Sequence, residues 1–158
     1  MAESMRAPHS LHPALTRNTG FLIGRMGLIA SKHFGERIAS LGLTTRMWGA
    51  LNVLDAEGAI TQHALCRAVS MDPSSMVSTI DELEAKGLVE RRRSPTDRRA
   101  YALHITEHGH EILTSGRALA REAQEELLAP LTDEERAVLR ELLLKLAIAS
   151  GELTAPPR

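Results

Sequence analysis

From Leu15 to about Leu41 apolar residues recur at helical spacing, Leu22, Met26 and Ile29 followed by Phe34, Ile38 and Leu41. A stripe repeating every three to four positions predicts a helix that buries one face. Gly20, Gly24, Gly27 and Gly35 each cost it about 1 kcal/mol relative to alanine, so this helix depends on tertiary packing. Thr44 reads as the N-cap of a second helix through Met47, Trp48, Leu51 and Leu54 that stops at Gly58. Thr61 caps a short third helix, with Leu65, Ala68 and Val69 facing inward.

The next segment is marked at both ends. Asp72 is a strong N-cap, Pro73 suits the first helical position and Gly87 suits the stop. Met76, Ile80 and Leu83 then form the buried stripe, which turns Ser74, Ser75, Val77 and Ser78 outward. Leu88 to Arg93 and Ala100 to Ile105 alternate as two strands, with Ser94 to Arg99 as the loop between them. Thr106 opens a long helix through Ile112, Leu119 and Leu127 to Leu128, which Pro130 breaks. Thr132 starts the last helix, through Val138, Leu139, Leu142, Leu146 and Ala149. Residues 1–12, with Pro8 and then Pro13, and residues 151–158, ending Ala-Pro-Pro-Arg, lack an apolar period and read as tails.

Two short helices joined by a tight turn, followed by a basic hairpin, have the layout of a winged helix-turn-helix. The fold class expected is mainly α, with a small two- or three-stranded antiparallel wing. Composition agrees: hydrophobic residues make up 43% of the 158 positions and aromatics only 3%, which suits a helical core of aliphatic side chains. No run approaches the roughly 20 apolar residues of a membrane span, and Met1 to Pro13 lacks the apolar centre of a secretory signal. The expectation is a cytoplasmic protein with no membrane partner. Cys66 is the single cysteine, so an internal disulfide is excluded.

A net charge of −1 conceals opposed patches. Between Lys86 and Arg99 six basic residues face two acids, whereas between Arg121 and Glu141 three bases face seven acids. Charge split in this way points one end of the molecule at phosphates. The helix from Pro73 to Lys86 would enter a major groove, where Ser74, Ser75 and Ser78 can hydrogen-bond phosphates or bases and the Val77 methyls can touch thymine. The helix N-terminus adds a partial positive charge. The hairpin would lay Arg98 and Arg99 against the adjacent backbone or into a narrow minor groove. Arg91, Arg92 and Arg93 alternate in direction, so they cannot all reach DNA; one packs its stem, and Arg92 is taken as a contact.

From about Gly20 to Ala149 the sequence resembles the MarR family of regulators. The resemblance rests on Leu43-Thr44 with Trp48 and Leu51, on Thr61-Gln62 with Leu65, and on Ile80-Asp81 with the run Leu83 to Arg91. Asp97-Arg98-Arg99 and Thr106 with Gly109 complete it. It implies a DNA-binding lobe over residues 43–106 and a helical dimerisation region from residues 13–42 and 107–150. The partners implied are a pseudo-palindromic duplex operator and a second copy of the chain, with an inducer pocket between the two regions. Thr61 and Gln62 join the DNA-facing set, and the Asp97 and Arg99 pair would order the wing. Arg25, His33, Thr45 and Trp48 are the pocket candidates, and an aromatic or phenolic ligand that lifts repression is the analogy. Two departures stand out: Ser78 occupies a position where many relatives carry arginine, and Ser70 replaces a common turn glycine.

Other readings compete with these. Trp48 is also a natural core residue. His104, His108 and His110 cluster in sequence, but their spacing is poor for a metal sensor. Cys66 sits mid-helix beside Leu65, as a buried small hydrophobe rather than an oxidant sensor. An enzyme would need a phosphate loop, a nucleophile elbow or a metal-binding repeat, and none occurs. No cofactor is expected. The alternatives are a metal- or redox-responsive regulator of the same fold, and a helix-bundle interaction protein that does not bind DNA.

Overall fold

The computed structural model describes residues 11–93 and 101–151. Its elements run α1 (Pro13–Thr16), α2 (Thr19–Ile38), a 3₁₀ turn (Ala39–Leu41), α3 (Thr45–Glu57), β1 (Ile60–Thr61), α4 (Gln62–Ala68), α5 (Pro73–Ala85), β2 (Val89–Arg93), β3 (Tyr101–Ile105), α6 (Glu107–Leu128) and α7 (Asp133–Ala149). The first helix of the sequence reading is in fact two. Asn18 adopts an extended backbone and its side chain accepts the Phe21 amide, so capping restarts the helix after Arg17 instead of letting it run on from Leu15.

The other helix starts obey local chemistry. Thr44, Thr61, Asp72, Thr106 and Thr132 each accept an amide from the first turn that follows. Thr132 and Glu135 form a full capping box. Gly87 has a left-handed φ of 69° at the end of α5, where an L side chain would be strained.

The sheet has three strands in the order β1-β3-β2, all antiparallel. Arg91 lies opposite Leu103 and Arg92 opposite Ala102, while Ile60 of β1 pairs with Leu103 from the other side. Met47, Leu51, Leu54, Leu65, Met76, Ile80, Leu83 and Leu103 are buried in one core shared by α3, α4, α5 and the sheet. Ala68, expected to face inward, is exposed, and Val69 is only half-buried. Cys66 takes that inward place, because α4 is too short to bury more than the face carrying Leu65 and Cys66. On α6 the buried face runs through Gly109, Leu113, Gly116 and Ala123, with Ile112 at its edge.

The outer helices are different. No residue of α7 is buried. Leu22, Ile23, Met26, Leu28 and Ile29 on α2, and Val138, Leu142, Leu143, Leu146 and Ile148 on α7, are large exposed apolar residues. None of the described helices is long and apolar enough to cross a membrane.

Candidate nucleic-acid interface

α4 and α5 are joined by a turn in which Ser70 takes a φ of 51°, and it is the one non-glycine residue with positive φ among the described residues. That explains why a glycine suits this position. The serine keeps the left-handed turn at a cost of about 1–2 kcal/mol. Asp72 then caps α5, accepting the Ser75 amide at 2.9 Å and the Ser74 hydroxyl at 2.6 Å. The Ser74 hydroxyl, followed by the Ser75 donors, holds the Asp72 carboxyl far below the usual carboxylate range. The N-terminus of α5 is therefore already matched to a negative charge, which weakens the dipole contribution read from sequence.

The outward face of α5 is as expected at Ser74, Val77 and Ser78 but not fully at Ser75. Met76, Ile80 and Leu83 are fully buried, Ser74 and Ser78 are exposed, and Val77 is 44% exposed. Ser75 is half-buried. The Ser78 hydroxyl donates to the Ser75 carbonyl at 3.0 Å, so its lone pairs remain free while its proton is held. Buried Thr79 does the same, donating to the Ser75 carbonyl at 2.8 Å. Thr61 is exposed, with its hydroxyl accepting the Ala64 amide at 3.2 Å, and Gln62 beside it is half-buried.

The three strand arginines divide as alternation requires. Arg91 turns back onto α5, where its guanidinium meets Asp81 at 2.8 Å and pairs with Glu84, and its amide donates to Glu84 Oε1 at 3.0 Å. Arg92 points away, exposed and paired with Glu90. Arg93 is exposed. Asp97, Arg98 and Arg99 lie outside the described residues. The sequence reading gave no role to Asp81 and Glu84. Their spacing of three on one helix face, seven or more residues before a strand arginine across a Gly87 turn, was the available signal.

The four pocket candidates do not share one cavity. Arg25 and His33 line an open cleft of about 800 Å³ with Leu28, Ile29, Lys32, Glu36, Glu126 and Leu127. Trp48 and Thr45 are not part of it. Trp48 packs edge-on to Phe34, and the exposed Thr45 has its methyl beside Gly35. His33 Nε2 stands 3.3 Å from Glu126, whose carboxyl is held below its ordinary range first by the hydrogen bond from Arg37. No group of three or more potential metal ligands occurs among the described residues.

Comparisons with known proteins bear on the family and the fold. Residues 41–100, which hold α3 to the wing, match the family model described as MarR family. The chain is 34% identical over 149 residues to a transcriptional regulatory protein assigned to the hcr operon of Thauera aromatica, covering 94% of this chain and 90% of that protein. Among solved structures, a transcriptional regulator from Pseudomonas aeruginosa is 32% identical with a TM-score of 0.75, over 84% of this chain and 98% of that one. A cysteine-to-serine variant of MarR from E. coli, complexed with operator DNA, is 28% identical with a TM-score of 0.73, over 80% of this chain and 91% of that one. With the family model on the helix-turn-helix and similarity across nearly the full chain, this protein belongs to the MarR family: it is a transcriptional regulator with a DNA-binding winged-helix fold and is not an enzyme.

Proposed function

We propose that the chain represses transcription as a homodimer on a pseudo-palindromic operator, acting in the cytoplasm and released by a small aromatic or phenolic ligand. The observation that carries the DNA reading is the outward face of α5, where an exposed valine at 77 stands between exposed Ser74 and Ser78, opposite a fully buried stripe. Small side chains there let the helix backbone approach base edges closely, and valine methyls suit thymine. In this reading Ser74, Ser75, Val77 and Ser78 face the major groove, Thr61 and Gln62 the flanking phosphates, and Arg92, Arg98 and Arg99 the backbone beside the wing, with Asp97 ordering it. Without an arginine at 78 the preference leans on A·T contacts and DNA shape.

Residues 43–106 form the DNA-binding lobe in this proposal, and residues 13–42 and 107–150 the dimerisation region. The exposed leucines of α2 and α7 support it, since apolar surface of that extent on a helix pair asks for a partner. A second copy also supplies the two-fold axis that places two α5 helices about one DNA turn apart. Arg25 beside Leu28 and Ile29 gives the cleft a cationic and apolar wall that suits an anionic aromatic ligand, while Lys32 and His33 face Glu36 and Glu126 of the same cleft; Trp48 and Thr45 would act on it only from outside the cleft.

The test is fluorescence anisotropy on labelled DNA from upstream of the chain's own gene, titrated with salt and with nonspecific competitor. Saturable binding that survives competitor and falls steeply with salt is expected. No binding at low salt to this or any other duplex would refute the reading.

A further inference from the structure

The DNA-binding lobe meets α6 through an unusually bare surface. α6 presents Gly109 and Gly116, two turns apart on its buried face. At position 109 an added Cβ would collide with the Leu88 carbonyl oxygen and the Ile105 side chain, and at 116 with the benzo ring of Trp48. The lobe is thus pressed onto the helix backbone itself at two places. Glycine at 109 and 116 is a requirement of contact rather than of φ, since neither has a positive φ.

Each glycine is followed by a cationic or titratable residue, His110 and Arg117, and both reach the same partner. Asp55, near the end of α3 and two turns beyond Trp48, receives a hydrogen bond from Arg117 Nη2 at 2.6 Å and lies 3.0 Å from His110 Nδ1. The Asp55 side chain is about three-quarters covered, and the Arg117 hydrogen bond holds its carboxyl below the ordinary carboxylate range. Two fixed points on one helix and a single carboxylate on the other resist both sliding and rotation of α3 on α6. The charged pair adds to the steric fit of the two glycine notches.

The orientation of α3 bears on α5 because the two are packed in one core. The two share a core through Leu51, Leu54, Met76 and Ile80, whereas α6 packs along α2, its far half pairing Glu122 and Glu126 with Arg37. α6 has 22 residues, roughly 33 Å at 1.5 Å per residue, so a small change of the α3–α6 angle displaces α5 relative to the helices that would hold the partner.

We propose that Asp55, His110 and Arg117 latch the Trp48–Gly116 seat and thereby set the spacing at which the two recognition helices meet DNA. They are positioning residues, remote from the DNA face of α5. The inference rests on the dimeric operator reading given above. It adds that half-site spacing is specified at the α3–α6 contact, and that Trp48, the sole tryptophan, reports on that contact.

The experiment compares wild type with Asp55→Asn, Arg117→Met and Arg117→Lys. The DNA probe is the upstream duplex, with one base pair inserted or removed between half-sites. Acrylamide quenching of Trp48 in the free protein is measured alongside, after circular dichroism has shown unchanged helix content. Arg117→Met and Asp55→Asn are expected to lower the preference for the native spacing by about fivefold, the upper range for a partly covered ion pair, and to raise Trp48 quenching, with Arg117→Lys recovering most of both. A loss of affinity equal on all spacings would overturn the latch, because it would mean general destabilisation. If the wild type binds no duplex, the operator reading has failed, and the quenching arm alone then decides whether the latch holds the seat: quenching unchanged in both variants overturns it.

Discussion

Arg91 on β2 and Asp81 on α5 are joined by a 2.8 Å charged hydrogen bond. Glu84, one turn further along α5, holds both the Arg91 side chain and its amide. The wing strand β2 is thereby tied to α5 at its second residue past the Leu88–Val89 core contact. A strand arginine that looks like a phosphate ligand by composition is instead a bracket between the two elements that would touch DNA.

Arg91→Met removes that bracket while keeping the aliphatic stem. Its expected effect is weaker binding to every duplex, with the salt slope unchanged, because no phosphate contact is lost. Arg92→Met should lower the slope by about one unit if it contacts one phosphate. Anisotropy titrations at several salt concentrations separate the two, and a reduced slope for Arg91→Met would place it on the DNA.

Val77→Ala should leave stability nearly unchanged, since the side chain is exposed, and cost about 1 kcal/mol or less of preference at one or two A·T positions. Binding to operators substituted at single positions is the measurement. Uniform weakening on all of them would remove Val77 from base readout.

Leu142 and Leu146 are each more than half exposed on α7. On the proposed dimer, the double substitution Leu142→Glu with Leu146→Glu is expected to leave the lobe folded and convert wild-type dimer to monomer in sedimentation velocity. A dimer that persists would move the interface elsewhere.

Ser70→Gly relieves a left-handed residue in the helix-turn-helix. The expected gain in unfolding free energy is about 1 kcal/mol, less the extra chain entropy that glycine brings to the unfolded state. Urea unfolding of the two proteins measures it.

Asp72 gives a pH signature with a definite sign. Its folded pKa lies far below the ordinary 3.8 because the charged form accepts from Ser74 and Ser75. The cap therefore contributes fully above about pH 4 and loses its contribution as acid is added below that range. The stability difference between wild type and Asp72→Asn, which can cap without charge, should narrow as pH falls from 6 to 3. A difference that stays constant over that span would show that the carboxylate has no special role.

Most of the architecture was legible in the chain. Thr44, Thr61, Asp72, Thr106 and Thr132 mark helix starts because capping is local chemistry, settled within one turn of backbone. The stripe Met76, Ile80 and Leu83 assigned the two faces of α5 because helical periodicity fixes side-chain direction. Ala68 was misplaced because periodicity alone does not say how wide a buried face a seven-residue helix can keep.

What the amino-acid order determined by itself was therefore most of the elements, the capped helix starts from Thr44 onward and most of the inward faces, all governed by contacts a few residues apart. Tertiary structure decided the partners across long separations. It sent Arg91 to Asp81 and Glu84, brought Asp55 between His110 and Arg117 some 60 residues later, and separated Trp48 from the cleft that holds Arg25 and His33. It also gave Gly116 its meaning, as the place where an indole rests on bare backbone. Such pairings depend on the angle at which α3 lies on α6, and that angle follows from how all the faces fit together at once, which no local pattern encodes.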